Sequence, residues 1–132
     1  MRKLALSDDI LLKIDKPARY LGNEINAVMK NPEDVDIRFV MAFPDIYEIG
    51  MSYLGIQIIY DMLNSREDTW CERVYSPWTD LDAVMREKNI PLFALESQAV
   101  SYTHLKRDCR RAQGRAVQLY SLRSGTFNRS RL

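Results

Sequence analysis

From Asp36 to Phe43 the residues Ile37, Phe39, Val40, Met41 and Ala42 form a near-continuous apolar run, the pattern of a strand covered on both faces. Pro44, with no N–H to donate, stops it. Beyond the stop, Leu54, Ile58, Met62 and Leu63, with Ile59, follow helical spacing and predict a helix from Ser52 to Leu63. Met51, Leu54 and Ile58 are assigned to the core on that pattern. Trp70 to Tyr75 predicts a second strand, the Pro77-Trp78-Thr79 turn opens a helix from Asp80 to Lys88, and Ile90 to Leu95 predicts a short third strand. Ahead of the first strand, Ser7-Asp8-Asp9 can cap a helix running through Leu11 and Leu12, which Pro17 interrupts or follows with a new turn. Glu24 to Lys30 reads as a second short helix, ended by Asn31-Pro32.

Strands alternating with helices place the chain in the α/β class: a partial Rossmann-like parallel sheet with helices, preceded by short N-terminal helices. Three strands with two crossovers leave a sheet edge uncovered, so the body is expected to be marginally stable or aggregation-prone. The chain of 132 residues divides into a helical lead over 1–35, the truncated sheet domain over 36–98, and a tail over 99–132.

Composition changes this picture at one place. A chain 46% hydrophobic and 28% charged has ordinary globular usage, with neither an apolar run long enough for a membrane span nor an apolar signal core after Met1. A cytoplasmic location is expected. Cys71 and Cys109 form no metal-binding spacing and read as inert thiols. Charge, however, is split. Met1 to Gln98 holds 11 Lys/Arg and 17 Asp/Glu, a net of −6, whereas Ala99 to Leu132 holds 8 and 1, a net of +7. Lys106, Arg107, Arg110 and Arg111 crowd together in a tail that has no sustained apolar period. One reading is a basic arm for nucleic acid. The preferred one is artefact: Val100-Ser101-Tyr102-Thr103-His104-Leu105 is a frame translation of the transposon-end adapter used in sequencing libraries, and Ala99 fits the codon before it. His104, the only histidine, then has no role to explain.

Candidate chemistry lies just beyond the first strand, where α/β domains place ligands. The loop Asp45 to Gly50 fills that position. Gly50 and Gly55 allow close backbone approach, yet no Lys and Ser/Thr follow to make a phosphate loop, and G-x-G-x-x-G is absent. Asp45 and Glu48 could act as an acid/base pair or magnesium ligands; stabilisation of a helix N-terminus is the stronger reading. Tyr47 either faces a cleft or packs.

Asp45-Ile46-Tyr47-Glu48-Ile49-Gly50 followed by Gly55 resembles the D-x-H-x-x-G loop of cobalamin-binding domains, with Tyr47 in the place of the histidine. Four segments extend the likeness: Arg19 to Glu24, Phe43 to Ser52, Glu72 to Trp78 and Ile90 to Ser97. Over residues 10–98 they are similar to the N-terminal domain of cobalamin-binding-like radical S-adenosylmethionine (radical SAM) proteins. The resemblance implies that Asp45, Tyr47, Glu48, Gly50, Met51, Ser52 and Gly55 line a cofactor site, and that no catalytic residue or metal ligand lies in this chain. It implies cobalamin in an intact parent, with S-adenosylmethionine and a 4Fe-4S cluster in a downstream barrel of the same polypeptide, the expected partner. Cys71 and Cys109 cannot supply the three thiolates such a cluster needs, so the fragment itself is expected to be non-catalytic. A phenol coordinates metal well only as phenolate, which argues against a histidine-type ligand to cobalt. The parent domain would position a corrinoid or substrate against the barrel; the alternative is a non-catalytic α/β docking module with no corrinoid. Membrane and nucleic acid are not expected partners.

Overall fold

The computed structural model describes residues 6–98 and the strand at 118–123. Its elements are α1 (Asp8–Leu11), a 3-10 turn (Pro17–Tyr20), β1 (Ile37–Phe43), α2 (Tyr47–Ser52), α3 (Leu54–Asn64), β2 (Thr69–Tyr75), α4 (Thr79–Glu87) and β3 (Gln118–Arg123). The sheet order is β2-β1-β3. β1 and β2 run parallel, with Ile37 opposite Thr69 and Phe43 opposite Tyr75, as expected of an α/β unit with a helical crossover. β3 pairs antiparallel with β1, Ile37 opposite Arg123, inside a segment for which the sequence predicts no element.

Alternation along the strands separates two buried faces. Met41 and Cys71 pack with Ile56 and Tyr60 of α3, while Val40, Ala42 and Val74 pack with Ala94 on the other side. The lead closes a third cluster, in which Leu6, Ile10, Ile14 and Tyr20 meet Leu81 and Met85 of α4 and Phe93.

Four expectations are corrected, the last of them the third strand. The helix predicted from Ser52 is two helices, because Tyr53, at φ −84° and ψ 103°, ends α2 and begins α3. Leu54 and Ile58, assigned to the core, are 71% and 57% exposed, and Met62 is 59% exposed; the buried stripe of α3 is Ile56, Tyr60 and Asn64. Glu24 to Lys30 is not a helix. Its backbone is spoken for by side chains: Val28 N–H donates to Tyr60 Oη at 2.8 Å, and Trp70 Nε1 donates to the Val28 carbonyl at 3.0 Å. Lys30 Nζ then fastens the end of this segment to the α3–β2 turn, donating to the carbonyls of Asn64, Arg66 and Thr69.

The predicted third strand, Ile90 to Leu95, contains a single bridge at Phe93. Pro91 cannot donate, and a side chain takes the place of a ladder. Leu95 N–H donates to the Arg73 carbonyl at 2.9 Å, while the Arg73 N–H donates to Glu96 Oε2 at 2.7 Å. Further down the same edge, the Asn64 amide exchanges two hydrogen bonds with the Cys71 backbone, at 2.9 and 3.0 Å. The outer edge of β2 is thereby closed without a third parallel strand.

Candidate functional site

The four segments that carry the resemblance meet at the carboxyl ends of β1 and β2. Arg73, on β2, is their hub. Its Nε donates to Glu96 Oε1 at 2.6 Å and its Nη2 to Glu24 Oε2 at 3.1 Å. Its guanidinium lies 4.6 Å from the Tyr60 ring centroid. Glu24 Oε1 accepts the Tyr47 hydroxyl at 2.7 Å, so one chain of charge-assisted bonds runs from the sheet edge to the loop. Arg73 is 2% exposed and Glu96 0%. Burial pushes the Glu96 carboxyl up, against the pull of the Arg73 charge and its hydrogen bonds. Burial works the other way on Arg73, but the charge and hydrogen bonds of Glu96 outweigh it and hold the guanidinium protonated.

The loop itself is packed and partnered. Asp45 Oδ1 accepts the Ile46 N–H at 2.7 Å, and the Asp45 carbonyl accepts the Ser76 N–H at 2.9 Å, tying the loop to the end of β2. Ile46, not Asp45, is the N-cap of α2, with no side-chain cap bond. Glu48 Oε1 takes Arg19 through Nε at 2.7 Å and Nη2 at 2.6 Å. Desolvation opposes ionisation of Glu48, yet its hydrogen bonds and the Arg19 charge together outweigh it and keep its carboxyl below the usual range. Arg19 in turn lies 5.4 Å from the Trp78 ring, and the Trp78 N–H donates to Tyr20 Oη at 3.0 Å. Ser52 Oγ donates to the Glu48 carbonyl.

Two glycines have packing reasons. A Cβ on Gly50 would lie 2.1 Å from Tyr75 Cε1, so the clearance this glycine makes is filled by a tyrosine ring. Gly22, at φ +58°, passes the Leu95 carbonyl so closely that a Cβ would lie 2.1 Å from its oxygen. Gly55 is less constrained, its nearest neighbour being Tyr53 Cε1 at 3.0 Å.

Of the predicted site residues, Tyr47, Gly50 and Met51 come together around Tyr75 and Arg73, while Asp45, Glu48 and Ser52 turn to local or lead partners. The residues do not fit a cobalt ligand at Tyr47. Its hydroxyl is committed to Glu24, and burial followed by that bond raises its pKa, keeping it a neutral phenol. Among the described residues no group of three His, Cys, Asp or Glu could hold a metal ion. Sequence reasoning missed Arg19, Glu24, Arg73 and Glu96 as site residues; each already stood inside a quoted segment, and a charge within a predicted buried strand, as at Arg73, is the signal that could have found the cluster. Cys109, His104 and the basic cluster at 106–111 lie outside the described residues. No helix among the described residues is long and apolar enough to cross a membrane.

No curated protein and no solved structure matches the chain. Residues 55–104 match the family model described as radical SAM proteins, N-terminal, taking in most of α3, β2, α4 and the Glu96 turn and running past Gln98 to His104. That span is less than half of the chain, and it supports reading the chain as a fragment of a radical SAM family protein.

Proposed function

We propose that this chain is an N-terminal α/β docking unit of a radical SAM protein, itself non-catalytic, that holds a downstream barrel in place. The observation that carries the reading is the outer face of α3. Leu54, Ile58 and Met62 stand exposed at successive helical turns, flanked by exposed Ile49 and Tyr53, although the same helix buries Ile56 and Tyr60. Ile58 and Met62 lie within the stretch that matches the family model. A row of large apolar side chains left in water is the ordinary mark of an interface. The charged cluster around Arg73 then acts as a rigid joint, since it ties the lead, the loop and the Glu96 turn to the sheet behind that face.

Mixing the chain with the barrel encoded by the uninterrupted natural reading frame, and following co-elution on gel filtration, tests this. Ile58→Asp should weaken co-elution at least tenfold while the thermal midpoint stays within a few degrees of the parent chain. Co-elution indifferent to Ile58→Asp would refute the docking face.

A corrinoid held without a protein ligand to cobalt is the second reading. What favours it is the place of the Asp45–Gly50 loop, beyond the carboxyl end of β1. Titration of hydroxocobalamin into the intact polypeptide separates the two readings: a change in its visible spectrum with retention on gel filtration favours the corrinoid, and an unchanged spectrum removes it.

A further inference from the structure

One side chain in the loop is an acceptor of the wrong strength. Met51 Sδ receives Arg73 Nη1 at 3.1 Å, Tyr75 Oη at 3.4 Å and Gln57 Nε2 at 3.7 Å. Three donors, one of them a guanidinium, converge on a thioether, which accepts only weakly. Gln57 has a second acceptor in the Met51 carbonyl, at 3.1 Å, and Arg73 has its two carboxylates; the Tyr75 hydroxyl donates to the sulphur and also meets the Arg73 guanidinium, which has donors only. Burial pushes the Tyr75 pKa up to about 12, so this hydroxyl is a neutral donor throughout the working pH range. The methionine is half-buried, unlike Met41 and Met85, which are enclosed in the core.

We infer that Met51 is an oxidation site whose sulfoxide the folded protein accommodates, its new oxygen taking the hydrogen bonds of Arg73 and Tyr75. The oxidant is hydrogen peroxide. The sulphur lone pair attacks the O–O bond, an S–O bond forms as the O–O bond breaks, and the proton on the transferred oxygen leaves with the departing hydroxide as water. Sulphur loses two electrons and the peroxide gains them. The unbranched side chain can turn to set the new oxygen toward its donors, because it sits at the end of a short helix beside the Tyr53 break. Oxidation of a buried methionine ordinarily loosens a core; here it supplies a strong acceptor in place of the weak one that Arg73 and Tyr75 share. The inference rests on the geometry around Met51 and not on the docking reading.

The test uses a chain carrying Met29→Leu and Met62→Leu, which removes the two exposed thioethers among the described residues. Hydrogen peroxide is added to the folded protein, and peptide mass spectrometry follows Met51. The expected result is one oxygen gained at Met51 well before Met41 or Met85, with a cooperative thermal transition that is unchanged or raised. In parallel, Met51→Gln, which sets an amide oxygen among the donors, should melt about 4 to 8 °C above Met51→Leu, the shift that one added hydrogen bond gives in a domain of this size. Met51 oxidised no faster than Met41 and Met85, a lowered transition after oxidation, or Met51→Gln melting at or below Met51→Leu would each overturn the inference.

Discussion

Removing the Glu96 carboxylate strands the Arg73 guanidinium, which is 2% exposed and would keep Glu24 as its remaining carboxylate partner. Glu96→Ala is therefore expected to cost about 3 to 5 kcal/mol, the range for a broken buried pair, read as a fall in the denaturant midpoint. Gly50→Ala forces a methyl into the Tyr75 ring, an overpacking cost of about 1 to 3 kcal/mol that Tyr75→Leu should partly relieve in a double variant. Cys71 is fully enclosed, and burial, joined by the nearby Glu96 and Glu72 charges, pushes its thiol up to about 12. At pH 8 roughly one molecule in 10⁴ would carry the thiolate, so iodoacetamide should leave Cys71 unmodified in the folded chain and label it once urea unfolds it. Mass spectrometry of the Cys71 peptide reads this directly, and rapid native labelling would contradict the enclosed site. The inertness of the Cys71 thiol was read from the sequence, which gives it no metal-binding spacing. The partners of Arg73 were not, because Glu24 and Glu96 lie 49 and 23 residues away along the chain.

β1, β2 and α4 were legible because their apolar runs or helical periods are bounded by punctuation, Pro44 after β1 and Pro77 before α4. α3 was legible as a helix but not in its orientation. Leu54-Ile58-Met62 and Ile56-Tyr60 both satisfy helical spacing, and only the position of the sheet decides which row is buried. The distinction is measurable. Ile56→Ala should cost about 2 to 5 kcal/mol of stability, whereas Ile58→Ala should fall within about 0.5 kcal/mol of the parent. Two other elements misled for a shared reason: Glu24–Lys30 and Ile90–Leu95 take their hydrogen bonds from distant side chains and backbone, which override local preference. Both segments interlock with the site, so its positioning could not be read from local pattern.

At the scale of the whole molecule, the exposed α3 face is the ground for the proposal that this chain is a docking unit whose partner lies in the same polypeptide. The account expects a C-x-x-x-C-x-x-C motif downstream of Gln98 in the uninterrupted natural reading frame, the spacing needed for three thiolates on a cluster. Sequencing the native locus checks it. The claim at the centre is physical, that Leu54, Ile58 and Met62 are covered in the intact protein. Hydroxyl-radical footprinting, read residue by residue on this chain alone and on the intact polypeptide, measures that cover. The account predicts that labelling of Leu54, Ile58 and Met62 falls at least severalfold in the intact polypeptide while that of exposed Leu12 is unchanged; equal labelling of the α3 face in both would contradict it.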